Sequence, residues 1–583
     1  SYTNIRVHDP EKLKTELEAY DQERNRGLSA SRRKKDDLKF FAEDDRGRPC
    51  SAEIKPDCAT ITLYNGNFEN IMNGGRLQFY AEEKNIPELK QKQALIHLRS
   101  GRIANAQLQM AMMDGANIVP EDSGDRVKTL VNASIGQNEA QYKALCGALE
   151  EKNIFLIQGP PGTGKTTVIR ELIQQYRSLH PKARVLVVSQ ANVAVDNALS
   201  GLIETESSHM IRCGSNEKIS DEMKNISLET RYDEYMASIQ ERPQDTRIQQ
   251  KWADFVNPQN GTVSNISELI IRNRPLVGAT CVGLAKKRVG LEQLKFDLVI
   301  VDEAGKALPG EILIPVLRAK KLVLIGDHKQ LPPVIDPDKI ELENRQLLKH
   351  ELFDISFFQR LYERTPETNR AMLETQYRMP AAIGTLVSRL FYDGKLKNGA
   401  GTESRPALFG TGNLVMYNCS HDAKYHEGKD ERGGSSGIVN KREIELVTEI
   451  LKRISQELPG HQVAVITPYR RQNQLLHDAW EKHQKEWETL DLAINTIDAF
   501  QGDEAEIVIY CSTRADRPTL YFSDYRRINV ALSRAKNKLI LIGNLKYFKE
   551  YSKAKGALRK SPLPAIAEYI TNYGRIVHSV SDL

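Results

Sequence analysis

Residues 154–166 read IFLIQGPPGTGKT, an apolar run feeding the glycine-rich octet Gly159–Thr166, with a helix-forming sequence directly after it. A short apolar run bounded by glycine reads as a buried strand, and strand, glycine loop and helix in that order make a cradle for phosphate. Gly159, Gly162 and Gly164 permit backbone angles that aim several amide N–H groups at one anion. The N-terminus of the following helix adds its partial positive charge. Lys165 has the reach to meet the β- and γ-phosphates, and Thr166 offers the hydroxyl that such loops give to magnesium. The expected ligand is a nucleoside triphosphate held by Gly159, Gly162, Thr163, Gly164, Lys165, Thr166 and Thr167.

Outward from this loop, β-rich runs alternate with helical stretches. FLIQ, VLVVSQ, LVGATCVG, FDLVIVDEA and KLVLIGD lie between Asn138 and about Ile335, and VAVITPY, INTID, EIVIYCS and KLILIGN follow between 345 and 560. Such alternation predicts parallel sheets flanked by helices, here two in series. Residues 200–270 are polar and helix-compatible and read as an insertion, and residues 399–437, closing on GGSSG, read as a flexible loop. Near the start, Asp9 and Pro10 predict a helix carrying Leu13, Leu17 and Tyr20. Residues 51–82 alternate in short segments broken by NGN and NGG, as in a small antiparallel sheet or barrel, and a further helix is expected from Pro87 to about Met113.

With 583 residues, the chain exceeds what one core supports, so several domains are expected. No apolar run is long enough to span a bilayer, and no signal peptide opens the chain, so no membrane is expected and an intracellular protein is, cytoplasmic ahead of nuclear. It begins at Ser1 rather than methionine and reads as a fragment to which flanking domains could belong. Seven cysteines without a CxxC pair favour neither a disulfide framework nor a zinc site. A net charge of +5 is too modest at this length to identify a polyanionic partner by itself.

Two further strands end in chemistry. FDLVIVDEA places Asp302 and Glu303 at a carboxyl edge, facing the phosphate loop. Asp302 is the candidate magnesium ligand beside Thr166, and Glu303 the candidate base for the attacking water. KLVLIGDHKQLPP sets Gln330 after another strand, where an amide that both donates and accepts suits a γ-phosphate sensor.

GPPGTGKT, VDEAGKA, GDHKQLPP, QYRMP (Gln376–Pro380), TIDAFQGDE (Thr496–Glu504) and RRINVALSRAK (Arg526–Lys536) stand in the order of a superfamily 1 helicase. The set resembles the 5′-to-3′ branch that includes the up-frameshift RNA helicase, senataxin and the immunoglobulin mu-binding-protein helicase, and covers about residues 130–545. This resemblance implies an α/β fold of two tandem RecA-like P-loop domains, a small N-terminal β-barrel on stalk helices, and a helical insertion. The expected layout is stalk and barrel in 1–128 (barrel about 37–85), a first RecA-like domain in 129–344 with the insertion at about 200–270, a second in 345–560, and a tail in 561–583.

It also implies roles. NEAQYKA makes Gln141 the partner of the adenine edge, Tyr377 stacks near that base, Glu504 meets the ribose, and Arg378 and Arg534 reach the γ-phosphate. Guanidinium forks delivered across a cleft would stabilise charge developing on the transferred phosphoryl group. ATP and Mg2+ are the implied cofactors. Strand contacts are implied at Asn192, Thr280, Thr467, Pro468, Tyr469, Thr496 and Asp498, by backbone amides and small hydroxyls that grip without reading sequence. The expected partner is single-stranded nucleic acid, RNA ahead of DNA, with the protein a monomer. Two departures stand out: nothing in residues 1–128 supplies the up-frameshift helicase's Cys/His zinc ligands, and Gly305 and Lys306 replace a small polar residue and glutamine. An ATP-gated clamp or ribonucleoprotein remodeller without processive unwinding, and a DNA helicase of repair or defence, are the competing readings. A nuclease-coupled motor finds no acidic cluster to support it.

Overall fold

Successive side chains of a strand point to opposite faces, and in this chain both faces are apolar, so helices cover each sheet on both sides. The computed structural model describes short stretches of residues 2–81, then 86–241, 263–285, 294–333, 355–410, 412–430, 437–517, 519–551 and 561–583. It divides into two units, Ser1–Ile96 and His97–Leu583.

In the first unit, Tyr2–Arg6, Thr60–Tyr64, Pro49–Ile54, Phe40–Glu43 and Tyr80–Ala81 pair antiparallel in that order. The opening strand, Tyr2–Arg6, was not expected from the sequence. Closure into a barrel lies outside the described residues, as does most of the helix expected from Asp9. The single helix expected from Pro87 to Met113 is two, Ile86–Arg99 and Ala106–Met113. Gly101, at a φ of 71°, sits in the break, and Asn105 caps the second helix by accepting from Gln107 N at 2.9 Å.

The second unit holds two RecA-like domains. The first is a seven-stranded parallel sheet ordered Arg370–Met372, Ile154–Gln158, Ala319–Gly326, Phe296–Val301, Val185–Ser189, Leu276–Thr280 and Met210–Cys213. The second is a six-stranded parallel sheet ordered Asp491–Thr496, Gln462–Thr467, Ala505–Cys511, Ala535–Gly543, Leu414–Asn418 and Arg575–Val577. Parity sorts its core: Met416, Ala464, Ile466, Val508 and Leu541 join one cluster, while Val415, Val465, Ile507, Ile509 and Ile542 join the other.

All nine strands expected in these two domains are present, but the sheets recruit four more. Met210–Cys213 is a buried edge strand, so residues 200–270 are not wholly a helical insertion. Arg370–Met372 pairs with Ile154–Gln158, so the first domain runs past the expected boundary at 344. Leu414–Asn418 is fully buried between two partners inside the expected flexible loop 399–437. Arg575–Val577 and the buried Leu583 make the expected tail part of the second domain. Among the described residues no helix is long and apolar enough to cross a membrane.

Candidate nucleotide site and strand-facing loops

Gly162 and Gly164 adopt φ of 71° and 79°, a region that side-chain-bearing residues rarely enter. Both also admit close neighbours: a Cβ on Gly162 would lie 2.5 Å from Arg378 Cβ, and one on Gly164 2.5 Å from Gln141 Nε2. The helix Lys165–Leu179 begins at Gly164 without a side-chain cap, so its first amides remain available to an anion. Thr163 donates to Pro160 O at 2.8 Å, and Lys165 Nζ donates to Gly159 O at 2.9 Å. Thr166 and Thr167 lie half-buried in the helix's first turn.

Lys165 lies 3.8 Å from Glu303. Glu303 has a φ of 53°, a conformation that costs about 1–3 kcal/mol in a residue with a side chain and tends to mark functional sites. Its N–H donates to Asp302 Oδ1 at 2.9 Å. Burial, and next the adjacent Glu303 carboxylate, push Asp302 up from its ordinary value. A buried carboxylate with no ion-pair partner among the described residues fits a cation, and a hydroxyl and carboxylate pair suits a hard divalent ion that retains waters. Thr166 and Asp302 therefore fit magnesium.

Beside the loop lies a cavity of 1240 Å³ lined in part by Asn138, Gln141, Tyr377 and Gly399. Gln141 donates to Thr163 O at 2.8 Å, leaving Oε1 and a second amide hydrogen for a base edge. Tyr377 accepts from Asn138 Nδ2 at 2.9 Å through its hydroxyl, and its ring lies against Gly399, where a Cβ would fall 2.3 Å from a ring carbon.

The second domain closes the site. Arg378 pairs with Glu504 at 2.5 Å, and Glu504 also pairs with Lys536 at 3.0 Å. Against the upward pull of burial, these two cations hold Glu504 below its ordinary value. Arg534, 2% exposed, donates to Gln330 Oε1 at 3.0 Å, bridging the domains. Burial, and next the charge of Arg378, lower its affinity for the proton, yet a guanidinium stays charged at neutral pH. Gln330 is itself held in place, because its Nε2 donates to Asp327 Oδ2 at 2.7 Å. Sequence reading missed Asp327, although a carboxylate directly after a buried strand in GDHKQLPP was a usable signal. Gly305 is explained here: a Cβ on it would sit 3.0 Å from Asp327 O.

The residues expected to grip a strand cluster at the carboxyl edges of adjacent strands. Thr280 is paired with Ser189, three residues before Asn192, and Thr467 is paired with Thr496. Asn192 Oδ1 accepts from the buried Arg212 at 2.9 Å, and Arg212 pairs with Asp196 at 2.6 Å; neither Arg212 nor Asp196 was singled out from sequence. Thr280 Oγ1 accepts from Gly283 N at 3.0 Å. Thr467 is fully buried and its hydroxyl shares a hydrogen bond with that of Thr513 at 3.1 Å, so its backbone rather than its side chain is the part nearer the edge. Pro468 is buried as well. Tyr469 is half-buried, with Arg514 over its ring at 5.3 Å and Tyr521 beside it at 5.7 Å. Asp498 is engaged by Arg527 at 2.7 Å.

Known proteins resemble this chain over most of its length. Profiles described as AAA domain match residues 136–267 and 240–337 and residues 353–546. An uncharacterised ATP-dependent helicase of Methanocaldococcus jannaschii is 29% identical over 71% of this chain and 68% of its own length. The DNA polymerase alpha-associated DNA helicase A of Saccharomyces cerevisiae is 27% identical over 78% of this chain and 72% of its own. The Drosophila melanogaster homolog of regulator of nonsense transcripts 1 is 31% identical over 70% of this chain but 34% of its own.

Proposed function

Because the chain belongs to the up-frameshift-like superfamily 1 helicases and is an ATP-hydrolysing helicase, we propose that it moves 5′ to 3′ along single strands as a monomer, preferring RNA to DNA. The observation that carries the mechanism is the hydrogen bond from Arg534 of the second domain to Gln330 of the first. A hydrolytic centre assembled from both domains turns over only when they meet, which ties chemistry to domain motion.

In this reading the loop amides and Lys165 hold the phosphates, and Gln141 and Tyr377 hold the base. Glu504 keeps lone pairs for a ribose hydroxyl beyond its two cation contacts. Thr166 and Asp302 would hold magnesium, which supplies charge neutralisation at the transferring phosphoryl group. Glu303 takes the proton of the attacking water, and Arg378 and Arg534 stabilise the charge that develops. Asn192, Thr280, Tyr469, Thr496 and Asp498, with the backbone at Thr467 and Pro468, line the edges where a strand would lie. The RNA preference is supported by the relative named for nonsense transcripts; the relative named as a DNA helicase is its counterweight.

Matched RNA and DNA duplexes with a 5′ or a 3′ overhang test this. RNA with a 5′ overhang should be unwound fastest, and Lys165→Ala should abolish turnover while retaining strand binding. Faster unwinding from 3′ overhangs overturns the direction, and turnover without strand displacement indicates a clamp instead.

A further inference from the structure

Asp327 is 3% exposed at the seam, and its carboxylate is surrounded by neutral donors. Oδ2 accepts from Gln330 Nε2 at 2.7 Å and from Tyr392 OH at 2.6 Å, while Oδ1 accepts from Lys329 N at 3.1 Å and Gln158 Nε2 at 3.4 Å. Tyr392 comes from the other domain. It follows the helix Ala381–Phe391 and packs in the second domain's core, where Leu331 of the first domain's GDHKQLPP turn also packs. Its hydroxyl accepts from Asn529 Nδ2 at 2.9 Å, and Asn529 Nδ2 also donates to Lys329 O at 2.8 Å.

The directions of these bonds are forced. A carboxylate can only accept, so the Gln330 amide must turn its NH2 to Asp327 and its oxygen to Arg534, which can only donate. Tyr392 has one hydrogen and gives it to Asp327, so Asn529 must donate to Tyr392. Burial, and next the Asp327 charge, hold the Tyr392 phenol protonated far above neutral pH, which preserves it as a donor. Among the described residues Asn529 Oδ1 is left buried without a partner, a deficit that makes this contact easier to part than a satisfied core.

We propose that Tyr392 and Asn529 are positioning residues for hydrolysis: acting through Asp327, they set the amide of Gln330 and make that setting conditional on docking of the second domain. The proposal rests on the reading of Gln330 and Arg534 as hydrolytic residues. It gives the second domain a means of acting on the γ-phosphate sensor that is separate from its arginines.

Single-turnover ATP hydrolysis by Tyr392→Phe and Asn529→Ala, each alone and combined with Gln330→Ala, tests it, alongside affinity for a fluorescent ATP analogue. Tyr392→Phe should slow hydrolysis about ten- to a hundredfold, as expected when a hydrogen bond to a charged group is lost, with analogue affinity within about twofold of wild type. In the Gln330→Ala background the same change should cost less than about twofold, because residues acting as a unit are not additive. Equal losses in both backgrounds overturn the proposal while leaving Gln330 in its role. Wild-type hydrolysis by Gln330→Ala itself overturns the underlying reading, and the proposal with it. Asn529→Ala should follow the pattern of Tyr392→Phe; a full-rate Asn529→Ala overturns its share.

Discussion

The two parallel sheets share one architecture yet turn opposite ends toward the seam. The first offers carboxyl edges: the loop after Ile154–Gln158, Asp302 and Glu303 after Phe296–Val301, and Asp327 to Gln330 after Ala319–Gly326. The second offers amino edges, with Glu504 directly before Ala505–Cys511 and Arg534 directly before Ala535–Gly543, joined by the bond from Ala505 N to Arg534 O. Its own carboxyl edge, bearing Thr467, Tyr469, Thr496 and Arg514, is thereby left for another partner. Ligands of open α/β sheets favour carboxyl ends. A second sheet laid head to tail escapes that rule, because it supplies cations to a site whose acids and amides the first already holds.

The largest test of this division is Arg534→Ala, which should slow hydrolysis by about 10³ or more, as loss of an arginine finger does. A decrease below about tenfold would assign that duty to Arg378 alone. Next comes the buried support of the second carboxyl edge. Glu443 accepts from Thr513 N and from Tyr425 OH, each at 2.7 Å, and so fixes Thr513 at its φ of 63° beneath Arg514. Burial outweighs these bonds and pushes Glu443 from 4.5 up to about 7. A raised carboxyl favours the protonated fold, so its contribution is complete below pH 4.5 and is lost as pH rises through 7. The thermal midpoint should fall between pH 5 and pH 8, by the equivalent of at most about 3 kcal/mol. Glu443→Gln should flatten that slope; an unchanged slope in the variant assigns it to other groups. The smallest effect is expected from Tyr469→Ala, which should weaken single-strand binding about tenfold, the scale of one lost stacking contact, and leave strand-free ATPase alone. Weaker nucleotide turnover with intact strand binding would erase the division between the two edges.

How much could be read beforehand follows from length and polarity. Strands of five or more mostly apolar residues, such as Val185–Ser189 and Ala505–Cys511, announce themselves. Three-residue strands such as Arg575–Val577 carry too few residues for any period, and Leu414–Asn418 was masked by the glycines around it, Gly410 and Gly412 among them. Site residues within continuous motifs were legible. Tyr392 and Arg212 were not, since each matters only through partners distant in the chain: Asp327 for one, Asp196 and Asn192 for the other.

Sequence alone determined the phosphate loop, because Gly162 and Gly164 encode their own backbone angles and Lys165 its own charge, all within one turn of chain. It likewise determined that two parallel sheets form. Which edge of the second sheet meets the first, and which way the Gln330 amide faces, was decided only by tertiary structure. Those outcomes depend on hydrogen bonds between groups up to 204 positions apart, and donor and acceptor directions have no meaning until both ends are in place.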